Sequence, residues 1–432
     1  MDEKYVIALE VGSSKISGAI GKVDDAGVLT VTAVEEEPLV DSVRYGQLSN
    51  VKVAAGLVER ILRKMENRVS PRKVCAAYVG IGGRSLCSVP VEVERKLPPE
   101  TEVTADLLAR LKLEARAGAD VDKEILDVVP REYFIDNSRV EVERPEGMVC
   151  STIRMAANLI VCRPQLKRNL DLLVDDKLKL KVAAYITRPL AEAALVLTPD
   201  EKRLGCMMVD FGAETTSVAI YRQGSLNYLA TLPLGSRNIT RDITTLNIVE
   251  EKAEELKKSR GNAMPADDGS DAMGIPDVNN LVSYRAGEII ANIKEQIKYA
   301  GLTASDLPGG IVLIGRGARL GGFSMRLEKD TGLKVRSGSA ITAEVRIADS
   351  RINPSETVDV IALLLAAAAN PVECLTPEEK TEEIIEEPQE EEVVEEASGS
   401  RSSFIQRLKD KLHGMIDGKE DDADFYDDEE DR

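Results

Sequence analysis

The chain has 432 residues, six cysteines, one histidine and no tryptophan, with a formal net charge of −19. That length buries a sizeable core in two or more domains, and the acidity argues against nucleic acid as a partner. The lone histidine, His413, excludes histidine acid/base catalysis and histidine-rich metal sites.

The N-terminus enters a strand almost at once, with neither a signal nor a transit peptide. Strands over Val6–Glu10 and Lys15–Gly21 flank the turn Gly12-Ser13-Ser14, and a third strand runs over Val28–Val34. Helical periodicity follows over Asn50–Asn67, and then a strand over Val74–Val79. Residues 85–165 break this rhythm with a strand at Val89–Lys96, a helix at Thr104–Ala119 and a last strand at Ala156–Cys162, which reads as an inserted small α/β domain. The first pattern resumes with a helix at Gln165–Val174, a strand at Leu180–Ile186 and a helix at Pro189–Leu197.

The second half repeats the plan. Strands over Cys206–Asp210, Thr215–Tyr221 and Leu226–Leu232 lead into helix from Ile239, a further helix over Glu250–Arg260, a loop over Gly261–Asp277 and a long helix over Val282–Gly301. Strand Gly310–Ile314 opens into Gly315-Arg316-Gly317-Ala318, and a buried helix covers Thr357–Ala369. The longest apolar run, Val360–Ala369, is roughly half of what spans a bilayer. From Thr376 the chain turns Glu-rich: residues 376–432 hold 22 acidic and 7 basic side chains, a net −15 that leaves about −4 for the rest. Such a stretch cannot bury a core and is expected to be disordered.

Six cysteines with no Cys-x-x-Cys pair point to reduced, mostly buried thiols. A Walker loop is absent, and the segment Gly315–Gly321 has one residue too many for the dinucleotide fingerprint. What remains is a pair of carboxylate-ended strands, each followed by a tight turn of Gly and hydroxyls. Gly12, Ser13, Ser14 and Lys15 face Gly212, Ala213, Glu214 and Thr215, an arrangement able to clamp a phosphate chain from both sides. Gly315 and Gly317, with Arg316 between them, follow a strand where a flat nucleoside can approach the backbone closely.

These three segments, in this order, resemble the phosphate and adenosine motifs of the actin-like ATPase superfamily. Within it, the run Val196–Gly205, Leu232-Pro233-Leu234-Gly235 and Ala253–Lys258 resembles the bacterial cell-division family FtsA, over roughly residues 4–370. The position of the insertion, with Val129–Asp136 and Gly147-Met148, is similar to the family's 1C domain, which the MreB type lacks. The resemblance implies an actin-like α/β fold of two related halves around a nucleotide cleft. Its subdomains would be 1A (1–84 and 166–195), 1C (85–165), 2A (196–240 and 302–375) and 2B (241–301). It also implies ATP and Mg as cofactors, with Glu10 and Asp210 meeting a hydrated Mg ion and Glu254 and Lys257 holding the ribose and adenine side.

Several positions depart from the family pattern. Glu10 replaces an aspartate, Glu214 brings a carboxylate into the second turn, and Arg188 stands where a Glu or Gln often orients the attacking water. Arginine is no base at neutral pH, so the expectation is nucleotide binding with slow or absent hydrolysis.

After an acidic linker at 376–400, residues 401–417 read as an amphipathic helix, followed by an acidic tail at 418–432. Phe404, Ile405, Leu408, Leu412, Met415 and Ile416 share an arc of about 120°, flanked by Lys409 and Lys411, whose stems can snorkel. The resemblance makes this a membrane-targeting helix. It implies a protein on the cytoplasmic face of the inner membrane at the division site. There it would self-assemble, tether the ring through the FtsZ C-terminal peptide docked on 2B, and recruit later division proteins. Two other readings remain, a pilus-assembly adaptor of the PilM type and a small-molecule kinase with the same cleft.

Overall fold

The computed structural model describes residues 3–377, apart from 40–41, 120–121, 137, 139, 141, 266–275 and 341. The expected helix at 401–417, the tail, and the linker from 378 onward lie outside the described residues.

Two sheets carry the molecule, and their central strands follow one plan. In the first, Lys4–Val11, Lys15–Val23 and Leu29–Pro38 form an antiparallel meander, while Ala76–Ile81 lies parallel to Lys4–Val11 on its other side, followed by Lys181–Thr187. In the second, Cys206–Phe211, Thr216–Arg222 and Ser225–Leu232 form the meander. Ile311–Ile314 lies parallel to Cys206–Phe211, followed by Val335–Ser337. The repeat expected from the sequence is therefore a repeat of topology.

Each meander ends on a strand whose outer edge would otherwise stand open, and an open edge invites pairing with other chains. In the first sheet Val345–Ile347 pairs in parallel with Leu29–Pro38. In the second, the inserted domain reaches the edge: Ala230 pairs with Cys87, Leu229 N donates to Ser88 Oγ at 2.9 Å, and buried Asn158 donates to the Leu226 carbonyl at 2.8 Å. The insertion comprises Cys87–Glu102, Val149–Cys162 and Glu124–Ile135 with the helix Ala105–Ala117, and it has its own core around Leu111, Ile153 and Met155. Thr104 caps that helix, accepting from Leu107 N.

The apolar run near the end of the folded part is the helix Val358–Ala368, buried against the first sheet and against helix Arg188–Val196. In the second half Phe211 stacks on Phe323 with ring centroids 4.4 Å apart. Ile289, Ile290 and Ile293 of helix Pro276–Tyr299 close the same core. No helix among the described residues is long and apolar enough to cross a membrane.

Three elements differ from expectation. The helix expected over Gln165–Val174 runs over Pro164–Asp171 and widens into a π-helical segment, Leu172–Lys177, closed by Leu178 N on the Leu173 carbonyl. The long helix begins at Pro276, six residues before Val282, as proline is tolerated in a first turn. A short helix, Pro199–Leu204, follows the capping box of Thr198 and Glu201, a signature present in the sequence as Thr-Pro-Asp-Glu.

Candidate functional site

The two turns are closed in the same way. Gly12 N donates to the Lys15 carbonyl at 3.0 Å, and Gly212 N donates to the Thr215 carbonyl at 2.9 Å. A Cβ at Gly212 would stand 2.9 Å from the Thr215 carbonyl oxygen, so the second turn needs the bare backbone, and one at Gly12 would crowd Glu10 Oε2 and the Lys15 carbonyl oxygen at 3.1 Å. They converge on one cavity, lined from both turns. Glu10, Gly12, Ser13, Ser14 and Lys15 line it from the first turn, Asp210, Gly212, Ala213 and Thr215 from the second.

A third side comes from Gly315 and Arg316. Gly315 has φ of +88° and lies so close to the second turn that a Cβ would meet Asp210 Oδ1 and the Phe211 carbonyl oxygen, each at 2.5 Å. Only glycine takes that backbone and that approach together.

Charge organises the cavity floor. Arg188, the first residue of its helix, donates from one nitrogen to Asp210 at 2.7 Å and to Glu192 at 2.8 Å, and its Nε lies 3.7 Å from Glu10. All four are buried to within an eighth or so of their side-chain surface. Burial pushes the Glu10 carboxyl up from an ordinary 4.5 to about 7, against the pull of Arg188. Burial likewise raises Glu192 well above the carboxylate range. One oxygen of each, Oε2, is buried without a hydrogen-bond partner. Lys15 reaches Glu36 at 2.5 Å and Asp359 at 2.9 Å. Burial works against its charge, but Asp359 and Glu36 outweigh that and hold it above its ordinary value. Arg316 also bonds Glu36.

Four expected residues contribute otherwise. Glu214 turns its carboxylate out of the cavity, where it accepts from Tyr45 N at 2.7 Å, Arg241 at 2.6 Å and Arg237 at 3.4 Å. Its charge is thus spent on joining the second turn to the loop at Tyr45 and to helix Ser236–Thr244, and does not face the cavity. Glu254 and Lys257 do share a face of helix Glu250–Arg260, but they do not line the cavity. Lys257 donates to Glu254 at 2.6 Å, to Thr240 at 2.9 Å and to the Ser236 carbonyl at 3.1 Å, tying that helix to Ser236–Thr244. Burial lowers the Lys257 pKa, Glu254 offsetting part of the effect. Gly317 packs on Phe211 instead of lining the cavity.

Glu36, Glu192, Glu356 and Asp359 were not anticipated at the site. Two left a signal: Glu192 stands one helical turn after Arg188, and Asp359 is an acid inside the apolar run Val358–Ala368. Glu36 left none, because its place beside Lys15 depends on strand register, Ser17 opposite Glu36.

Two halves of like topology, each offering a carboxylate-ended strand and a closed glycine turn to a shared cavity, define an actin-like protein with an inserted domain. A family profile for the SHS2 domain inserted in FTSA matches residues 83–161, and one for cell division protein FtsA matches residues 207–392. The chain is 31% identical to the cell division protein FtsA of Porphyromonas gingivalis, over 77% of this chain and 72% of that protein. It is 27% identical to that of Bacillus subtilis, over 76% and 77%. The chain belongs to the FtsA family of cell division proteins. A solved PilM-PilN type IV pilus biogenesis complex is similar with a TM-score of 0.59 at 16% identity, covering 85% of this chain and 99% of that one, a likeness of fold.

Proposed function

We propose that this protein binds ATP between its two turns, self-associates, and tethers an FtsZ ring to the cytoplasmic face of the membrane, where later division proteins join it. The observation that carries the nucleotide reading is the convergence of Gly12–Lys15 and Gly212–Thr215 on one cavity. Backbone N–H groups in such turns suit a phosphate chain. Membership of the division family supports the partners, with the FtsZ peptide assigned to the helices of 241–301. The pattern of Phe404, Leu408 and Leu412 supports the membrane attachment.

Hydrolysis is slow or absent in this reading. Arg188 lies at the cavity floor engaged by Asp210 and Glu192, and a guanidinium cannot take a proton from water at neutral pH. The role is that of an adaptor whose conformation depends on the nucleotide.

The hydrated Mg ion expected at Glu10 and Asp210 does not fit the side chains as arranged. Arg188 already contacts both carboxylates and holds the position between them. Calorimetric titration of the purified chain with a non-hydrolysable ATP analogue, followed by capture on an immobilised FtsZ C-terminal peptide, tests the proposal. Saturable binding of both is the expected result, and failure of both would overturn it.

A further inference from the structure

We infer that the Arg188 guanidinium supplies, from within the protein, the positive charge that a divalent cation would bring to this cleft, so that a nucleoside triphosphate binds here without Mg. The inference rests on the nucleotide reading above.

Glu10 and Asp210 are the penultimate residues of matching strands in the two halves, Lys4–Val11 and Cys206–Phe211, so both carboxylates reach the floor between the turns. Arg188 lies between them, 2.7 Å from Asp210 and 3.7 Å from Glu10. Glu192, four residues further along the same helix, takes a second bond from the same nitrogen at 2.8 Å. The guanidinium is thus bonded to two carboxyls and faces a third, on three different elements.

The neighbouring backbone is fitted to it. A Cβ at Gly82 would stand 3.0 Å from Arg188 Nε and 3.4 Å from its second terminal nitrogen, so glycine there leaves room for the flat guanidinium. Arg188 lines both the main cavity and a smaller adjoining one. A divalent ion placed between Glu10 and Asp210 would have to displace this group or stand against its charge, and like charges in a partly buried site repel strongly. Lys15 and Arg316 line the same cavity, Lys15 paired with Glu36 and Asp359 and Arg316 with Glu36, and Glu356 and Asp359 line it beside them. Because Nη1 and Nε of Arg188 already face carboxyls, its second terminal nitrogen is the donor left for a phosphate oxygen, a charge-assisted contact.

The test compares ATP-analogue affinity of the full chain in Mg-containing buffer and in EDTA. The two affinities are expected to agree within about threefold. Binding that weakens by about tenfold or more in EDTA overturns the inference while leaving the nucleotide reading intact. Absence of binding in both buffers overturns the nucleotide reading and this inference with it. A second arm needs no nucleotide: manganese, followed by its paramagnetic resonance signal, is titrated into the wild type and into Arg188→Gln. Free manganese throughout the wild-type titration, with uptake by the variant, is the expected result. Stoichiometric uptake by the wild type overturns the inference. The wild-type measurements stand whether or not the variant folds.

Discussion

Arg188, at the start of a helix in the first half of the molecule, donates to Asp210, at the end of a strand in the second half, at 2.7 Å. The ion pair crosses the floor of the cleft and joins the halves. Its energetic weight comes from burial: with 13% and 6% of side-chain surface exposed, neither charge is screened by water as a surface pair would be.

Removing one partner of such a pair strands the others. Arg188→Ala leaves Glu10, Glu192 and Asp210 without their shared cation, and a loss of roughly 3–5 kcal/mol is expected. Urea denaturation of the variant reads this directly. A double variant that also carries Asp210→Asn removes the carboxylate left stranded and should recover part of the loss.

Stability should also depend on pH through Glu10. Its carboxyl titrates near 7 in the fold, against 4.5 ordinarily, because burial disfavours the charge. A folded state that holds its proton more tightly than the unfolded chain gains stability below 4.5 and loses it as pH rises through 7. Glu10→Gln has no proton to lose, so the fall in Tm between pH 5 and pH 8 should be smaller in the variant. An unchanged slope would show that Glu10 is not the group responsible.

Gly315→Ala probes the approach of the third segment. The added carbon would stand 2.5 Å from Asp210 Oδ1 and must adopt a φ of +88°. The cost should exceed about 1 kcal/mol, with nucleotide affinity lost as strand Ile311–Ile314 is pushed from its neighbour. Calorimetry and thermal unfolding on one preparation separate the two effects. Gly301→Ala is the comparison, having φ of +73° but no atom within 4 Å of the added carbon.

Lys257 and Glu254 are expected to act through helix packing. Lys257→Met removes the donor to Thr240, Glu254 and the Ser236 carbonyl, and should cost roughly 1–3 kcal/mol, the penalty for buried groups left unpaired. Hydrogen exchange should quicken first in Ser236–Thr244 and Glu250–Arg260. Loss of ATP affinity with unchanged exchange would instead return these residues to a binding role.

The tail carries a separate prediction. Phe404→Asp with Leu408→Asp interrupts the apolar arc, and co-sedimentation with anionic liposomes should fall to the level of a chain ending at 400. Undiminished co-sedimentation would contradict the membrane assignment.

What could be read along the chain was whatever repeats or is local. The two turn segments were legible because each is an apolar strand, a carboxylate and a glycine turn in immediate succession. The helix Val51–Val69 was legible from its periodicity, and the buried helix Val358–Ala368 from its unbroken apolar run apart from Asp359. The inserted domain announced itself where the rhythm broke near residue 85. Its attachment to the second sheet was not legible, since Cys87 meets Ala230, 143 positions further along the chain.

The carboxylate-ended strands, the glycines of the turns and the presence of an arginine at 188 are fixed by sequence, and with them the fold and the place of the cleft. Which charges meet was decided only by tertiary structure. Glu214 faces Arg241 and Tyr45 and not the cavity, Lys257 joins two helices, and Arg188 lies between Glu10 and Asp210. The physical reason is that a strand or a turn follows from neighbours a few residues away, whereas a buried charge is held only by partners that distant segments bring to it.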